Sequence, residues 1–225
     1  MAHIRFDAFT LAASVSELTS ETEAPEADAI EFRMDLATDP LDQLEAYSGD
    51  LPIIVTNRAK WEGGDAADAG RLADLGRAVE HPTVGAVDIE LESARAGDAD
   101  ELRDLADRHD TTVIVSTHDF DATPDRPQLS TMLEEAAKWG DLGKLAVTAQ
   151  TVDDVLDVLT VTREQTRAGR AVATLCMGEV GRHSRIVAPL YGSKIGYAPI
   201  DANHATAPGQ FPLAEMARLI ETLRG

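Results

Sequence analysis

Apolar, β-branched runs alternate with amphipathic stretches along the whole chain. The runs that have the length and composition of buried strands lie at residues 4–12, 29–34, 52–57, 84–91, 112–117, 143–148, 171–177 and 194–198. Between the runs, apolar residues recur at spacings of three and four, as in Leu72, Leu75 and Val79, and this pattern predicts helices with one buried stripe. Each strand and helix unit averages about 28 residues, close to the roughly 30 of a βαβ unit. The pattern predicts an α/β protein, a (β/α)8 TIM barrel formed as a single catalytic domain by residues 1–225, with an open doubly wound sheet as the alternative.

Capping signals mark two possible helix starts. Ser14 is followed by Glu17 three residues later, and Thr151 is followed by Asp154 at the same spacing. A Ser or Thr side chain accepts a hydrogen bond from the free N–H three residues on, and the acidic side chain accepts one from the backbone N–H of the cap residue. We therefore predict that helices begin at Ser14 and at Thr151.

Alternation along the predicted strands places polar side chains on one face. Residues two apart share a face of a strand, and in a barrel one face points into the lumen, near the mouth where active sites lie. The polar residues grouped in this way are Glu31, Arg33, Asp35, Thr56, Arg58, Asp88, Glu90, Ser116 and His118. Inward charges are costly unless they pair or bind a ligand, so this face predicts a functional site.

The segment DLGKLAVTA, residues 141–149, contains a charged lysine inside an apolar run. Only four lysines occur in the chain, and Lys144 is the one within a predicted strand core. A buried ammonium group must pair or lose its proton, and a neutral amine is a nucleophile towards carbonyl carbon. Lys144 is therefore a candidate Schiff-base lysine, with His118 on the preceding strand as its acid and base. The alternative is a salt-bridged structural lysine, because Lys144 lies early in its strand and must extend up the lumen to reach His118.

Composition limits the possible partners and cofactors. Forty acidic and 20 basic residues give a formal net charge of -20, which repels nucleic acid and anionic membranes. The apolar fraction of 44% is too high for a disordered polyanion, and the acidic, lysine-poor composition is typical of proteins that stay soluble in concentrated salt. A single cysteine excludes an intramolecular disulfide, and no cluster has zinc or calcium spacing. The N-terminus has no apolar signal core, so we expect a cytoplasmic protein.

Six short motifs occur in the order typical of one enzyme family. They are ExR with Glu31 and Arg33, R-x3-EGG beginning at Arg58, S-x-HDF with His118, GKLAVTAQT with Lys144, MGEVGRHSR ending at Arg185, and TAPGQ with Thr206 and Gln210. Each motif is weak alone, but their number and order are specific. Together they resemble type I 3-dehydroquinate dehydratase, the Schiff-base enzyme of the shikimate pathway, over most of the chain.

The resemblance implies a function and a role for each motif. It implies dehydration of a small-molecule substrate, 3-dehydroquinate, to 3-dehydroshikimate by a homodimeric TIM barrel that requires no metal or organic cofactor. Lys144 would form the imine and His118 would act as general acid and base. The implied substrate-binding residues are Arg185 for the carboxylate, Glu31, Arg33 and Arg58 for the ring hydroxyls, and Thr206 and Gln210 in a loop that closes over the substrate. The family usually has serine at the position of Thr206.

Two other functions remain open at this point. A different Schiff-base barrel, such as a class I aldolase, would share Lys144 but usually binds a phosphate. A small-acid binding protein on the same scaffold would bind its ligand without forming an adduct, and the presence of both Lys144 and His118 argues against it.

Overall fold

The computed structural model describes residues 4–19, 24–200 and 209–225. Its strands are β1 Thr10–Val15, β2 Ala29–Arg33, β3 Ile53–Thr56, β4 Val84–Glu90, β5 Thr112–Asp119, β6 Leu142–Thr148, β7 Val172–Met177 and β8 Ile195–Pro199. The α-helices are α1 Pro40–Ala46, α2 Arg71–Val79, α3 Leu91–Ala96, α4 Asp100–Arg108, α5 Arg126–Trp139, α6 Val152–Arg167, α7 Gly178–Gly181, α8 Ser184–Tyr191 and α9 Leu213–Arg224. Short 3-10 turns, Met34–Leu36 and Lys60–Glu62, follow β2 and β3.

The strands form one parallel sheet in the order β7-β6-β5-β4-β3-β2-β1-β8. The two ends of this order, β7 and β8, meet through an isolated bridge between Val172 and Ser193. The Lys194 amide donates a 2.8 Å hydrogen bond to the Val172 carbonyl there, and the Thr174 amide donates one of 3.0 Å to the Ser193 hydroxyl. The sheet is therefore a nearly closed barrel, with helices packed against its outer face. The predicted (β/α)8 TIM barrel is confirmed, and the open doubly wound alternative is wrong.

The two predicted helix starts have opposite outcomes. Thr151 caps α6 through a capping box with Asp154, as predicted. Ser14 begins no helix, because it lies inside β1 and its hydroxyl donates a 2.5 Å hydrogen bond to Glu31. Pairing of β1 with both β2 and β8 overrides the local capping signal. None of the helices in the described ranges is both long enough and apolar enough to span a membrane.

The first strand was predicted too early in the chain. The run at residues 4–12 was expected to be a strand, yet β1 begins at Thr10. Ile4 and Phe6 are buried with the inward apolar residues at the start of the strands, and the Ile4 carbonyl accepts a hydrogen bond from Thr112. The apolar run therefore closes the bottom of the barrel before the chain enters the sheet.

The barrel lumen is filled by two successive layers of inward side chains. The lower one, which we name the floor layer, consists of Ala12, Ala29, Ile54, Ala86, Ile114, Leu142, Ala173 and Ile195. The next inward position on each strand gives the site layer, which consists of Ser14, Glu31, Thr56, Asp88, Ser116, Lys144, Leu175 and Tyr197. One step of two residues along every strand thus changes the lumen from entirely apolar to mostly polar.

Candidate active site

A cavity of about 110 Å³ opens above the site layer at the carboxyl ends of the strands. The predicted site residues that line it are Glu31, Arg33, Arg58, His118, Lys144, Arg185 and Gln210. Thr206 lies outside the described residues. A larger cavity of about 700 Å³ lies at the opposite end of the barrel, beside Arg103 and Asp141, and contains none of the predicted site residues. The smaller cavity is therefore the candidate active site.

Lys144 extends up the lumen and pairs with Asp88 on β4, two strands away in the sheet order. Its Nζ donates a 2.8 Å hydrogen bond to Asp88, and its side chain is only 8% exposed. Burial alone would raise the pKa of Asp88, but the charges of Arg58 and Lys144 hold that pKa well below its usual range. The side chain lines the same cavity as His118, so Lys144 reaches the site although it lies early in β6.

Arg58 links the carboxylates of β4 to the site. The residue follows β3, and its guanidinium donates to the Ser116 hydroxyl at 2.7 Å and to Asp88 at 2.8 Å. It also lies 3.3 Å from Glu90, which in turn accepts a 2.6 Å hydrogen bond from Arg71. Burial by itself would lower the pKa of Arg58, but the negative charges of Asp88 and Glu90 raise that pKa by more than burial lowers it. The guanidinium therefore remains charged. The inward charges therefore stabilise each other in one continuous network.

His118 is held by a carboxyl group whose role the sequence analysis did not predict. Its Nδ1 lies 2.7 Å from Oε1 of Glu62, which occupies the 3-10 turn after β3. Burial raises the pKa of Glu62 to about 8, and burial together with Arg58 and Lys144 lowers the pKa of His118 well below its ordinary value. Both shifts keep the pair free of net charge at neutral pH. In the tautomer whose Nδ1–H donates to Oε1 of Glu62, Nε2 carries no proton, so acid and base chemistry would use Nε2.

Two glycines make the turn that brings Glu62 to His118. Gly63 ends the 3-10 turn with a φ of 79°, in the left-handed region that favours glycine. A Cβ atom on Gly64 would lie 2.1 Å from the Arg58 carbonyl oxygen, so only glycine fits there. The EGG sequence after Arg58 was the available signal for this arrangement.

Glu31 and Arg33 project from β2 at successive inward positions. Glu31 accepts hydrogen bonds from Ser14 at 2.5 Å and from Thr56 at 3.2 Å. The Arg33 guanidinium makes two parallel hydrogen bonds with Asp35, at 2.8 and 2.7 Å. The predicted grouping of Asp35 with Arg33 is therefore confirmed as a bidentate ion pair, a geometry that fixes the direction of a guanidinium.

Arg185 and Gln210 line the side of the cavity formed after β7. Arg185 lies in α8 and is 5% exposed, and burial lowers the pKa of its guanidinium to about 10. Gly209, with a φ of 77°, lies so close to the start of α7 that an added Cβ would be 2.9 Å from the Gly178 carbonyl oxygen. This close approach brings Gln210 to the cavity. Within the part of the chain described, no group of His, Cys, Asp or Glu side chains is arranged to ligate a metal ion.

Comparison with known proteins agrees with this geometry. A family model described as type I 3-dehydroquinase matches residues 8–225. The 3-dehydroquinate dehydratase of Haloarcula marismortui is 54% identical over 97% of this chain and 98% of its own length. The Halobacterium salinarum 3-dehydroquinate dehydratase is 50% identical over 98% of this chain and its entire length.

Solved structures show the same architecture. The 3-dehydroquinate dehydratase of Geobacillus kaustophilus superimposes with a TM-score of 0.83 at 25% identity, covering 97% of this chain and 92% of its own. The type I enzyme of Clostridium difficile, solved with covalently modified comenic acid, gives a TM-score of 0.83 at 26% identity and covers 96% of this chain and 92% of its own. The chain therefore belongs to the type I 3-dehydroquinase family, the enzymes that dehydrate 3-dehydroquinate in the shikimate pathway.

Proposed function

We propose that this enzyme dehydrates 3-dehydroquinate through an imine on Lys144, with His118 as general acid and base. The observation that carries the proposal is the convergence of the Lys144 amine and the Glu62–His118 pair on one cavity. Membership of the dehydroquinase family also favours dehydration over the phosphate-binding class I aldolase.

The proposed reaction begins with attack of Lys144 on the ketone. The neutral amine adds to the carbonyl carbon, so the ammonium group paired with Asp88 must first lose a proton. Loss of water from the adduct gives a protonated imine, which withdraws electrons and acidifies the neighbouring C2 hydrogen. His118 then removes that proton, since a neutral imidazole is the form that its lowered pKa favours.

Elimination and release complete the cycle. The electron pair left at C2 forms the new C1–C2 double bond as the C1 hydroxyl departs, and protonated His118 supplies the proton that makes it water. Hydrolysis of the product imine returns the Lys144 amine and releases 3-dehydroshikimate. The contact of Nδ1 with Glu62 keeps the imidazole in one orientation through both proton transfers.

We also propose how the substrate is oriented. Arg185 suits the C1 carboxylate, because a guanidinium binds a carboxylate through two parallel hydrogen bonds. Glu31, Arg33 and Arg58 lie on the β2 and β3 side of the cavity and suit the ring hydroxyls. Gln210 and Thr206 would cover the bound ring, and the support is the position of Gln210 at the cavity.

Borohydride trapping tests the proposal. Reduction during turnover of 3-dehydroquinate should leave a stable adduct on Lys144, located by peptide mass mapping. The Lys144→Ala variant should show neither adduct nor turnover. Lys138→Ala, which removes a lysine with a 64% exposed side chain, should trap like the parent enzyme. An active parent enzyme without an adduct on Lys144 would rule out the imine mechanism.

A further inference from the structure

Tyr197 belongs to the site layer, but the imine mechanism of Lys144 and His118 assigns it no role. The residue lies in the middle of β8 and is 5% exposed, with its ring inside the lumen. The Lys144 Nζ lies 4.2 Å from the centroid of that ring, within the range of a cation–π contact. Tyr197 therefore forms one wall of the space into which the proposed nucleophile projects.

The Tyr197 hydroxyl has no hydrogen-bond partner within residues 4–19, 24–200 and 209–225, although it is fully buried. Its polar neighbours in the layer are all engaged: Ser14 and Thr56 donate to Glu31, and Asp88 accepts from Arg58, Ser116 and Lys144. A buried hydroxyl without a partner is destabilising, so such groups in native proteins call for an explanation. A ligand bound in the cavity would supply the missing partner.

The surroundings of Tyr197 keep its hydroxyl protonated. Burial raises its pKa well above the ordinary value, and the negative charges of Asp88 and Glu31 raise it further, while Arg58 acts weakly in the opposite direction. The phenol is therefore a neutral donor throughout the working pH range. A neutral donor beside a nucleophilic amine can polarise a carbonyl group without taking part in proton transfer.

We propose that Tyr197 is a further substrate-contacting residue, whose hydroxyl donates a hydrogen bond to the oxygen of the ketone that Lys144 attacks. The reacting carbon must approach the Nζ that lies over the Tyr197 ring, so its oxygen comes within reach of the hydroxyl on the same ring. The N–C bond forms as the carbonyl π electrons move to oxygen. The proton released by nitrogen neutralises that oxygen, and Tyr197 keeps its own proton. This role rests on the proposed imine mechanism.

The test compares two variants that each remove one buried tyrosine hydroxyl. Tyr197→Phe keeps the ring and its contact with Lys144, whereas Tyr47→Phe removes a hydroxyl that donates to the Leu51 carbonyl at 3.2 Å, far from the cavity. Imine formation is followed in a single turnover at saturating 3-dehydroquinate by rapid borohydride quenching and mass spectrometry. We expect Tyr197→Phe to slow adduct formation roughly 10- to 100-fold, because one donor to the developing oxyanion is lost. Tyr47→Phe should form the adduct at the parent rate.

The possible outcomes separate the two proposals. If the parent enzyme forms the adduct and Tyr197→Phe forms it equally fast, the role of Tyr197 is overturned while the imine mechanism stands. A raised KM with an unchanged rate of adduct formation also overturns the role, since the hydroxyl would then bind another part of the substrate. If the active parent enzyme forms no adduct, the imine mechanism fails and the role of Tyr197 fails with it. Thermal unfolding of both variants checks that the Phe side chains are accommodated.

Discussion

The floor layer and the site layer occupy the same eight strands, yet they differ in the chemistry of their side chains. The floor layer contains only aliphatic side chains and is buried among Ile4, Phe6 and the strand backbones. The site layer lies two residues further along each strand. It contains Lys144, Asp88 and Glu31, which are buried like the residues of the floor layer. The floor gains free energy from burying apolar area, whereas the site layer must offset the loss of hydration through its ion pairs. The comparison indicates that stability depends on the floor and reactivity on the layer above it.

Among the substitutions that keep the Lys144 amine, replacing His118 should produce the largest change in catalysis. We expect His118→Ala to lower kcat about 10²- to 10⁴-fold, the usual contribution of a positioned general base. Borohydride trapping should still detect an adduct on Lys144, because His118 is assigned to the later proton transfers. The His109→Ala variant, at the end of α4 and outside the cavity, serves as the control. Full turnover in His118→Ala would remove this residue from the mechanism.

Removing the Asp88 charge should show how the site layer holds its cations. In Asp88→Asn, Lys144 loses its carboxylate partner and Arg58 loses one of two, so two buried cations face each other. Breaking a buried pair in this way costs about 3 to 5 kcal/mol of unfolding free energy. Asp74→Asn removes a surface carboxylate 3.7 Å from Arg77 and should cost about 1 kcal/mol or less. Equal losses in a denaturant titration would contradict the buried network.

A floor substitution should affect stability and leave chemistry intact. Ile54→Ala leaves a cavity beneath Thr56 and Glu31 and should lower the free energy of unfolding by about 2 to 5 kcal/mol. At a temperature where the variant is folded, its kcat should match that of the parent enzyme. A large fall in kcat with a normal unfolding transition would show that the floor also positions the reacting groups, and the division between the layers would be wrong.

Most of the inward face could be predicted from the sequence, because alternation along a strand is a local property. It correctly grouped Arg58, Asp88 and Ser116 before any contact was known. The same alternation applied to residues 194–198 would have placed Tyr197 inside the barrel, but an aromatic residue in an apolar run gave no reason to assign it chemistry. Its importance depends on a nonlocal fact, the position of Lys144 Nζ against the ring.

Features outside the strands were harder to predict. Glu62 lies on a 3-10 turn, where period-two alternation gives no direction, and its contact with His118 spans 56 positions of sequence. The helix start predicted at Ser14 is wrong for a different reason: a local capping signal is present, but strand pairing with β2 and β8 overrides it. The family motifs were decisive for Arg185 and Gln210, which lie on a helix and a connecting segment rather than on barrel strands.

The smallest expected effect concerns Glu62, whose protonation should make the free energy of unfolding depend on pH. Burial raises the pKa of its carboxyl group from an ordinary 4.5 to about 8, so the folded state binds this proton more tightly than the unfolded state. The resulting stabilisation is complete below the ordinary pKa and disappears as the pH rises through about 8. Above about pH 7, His118 is mostly neutral in the unfolded state, where its pKa is the ordinary 6.5, and it is neutral in the folded state, where that pKa is lowered. Glu62 therefore dominates the difference in bound protons between the two states.

The Glu62→Gln variant isolates this contribution. Between about pH 7 and 8, the unfolding free energy of the parent enzyme should fall relative to Glu62→Gln by at most about 1.4 kcal/mol per pH unit, because one proton is involved. Glu80→Gln makes the same side-chain substitution at an exposed position and should run parallel to the parent. Chemical denaturation at constant ionic strength provides the measurement. If the curve for Glu62→Gln also runs parallel to the parent, Glu62 is ionised in the folded enzyme and its contact with His118 is a hydrogen bond from a neutral imidazole to a carboxylate.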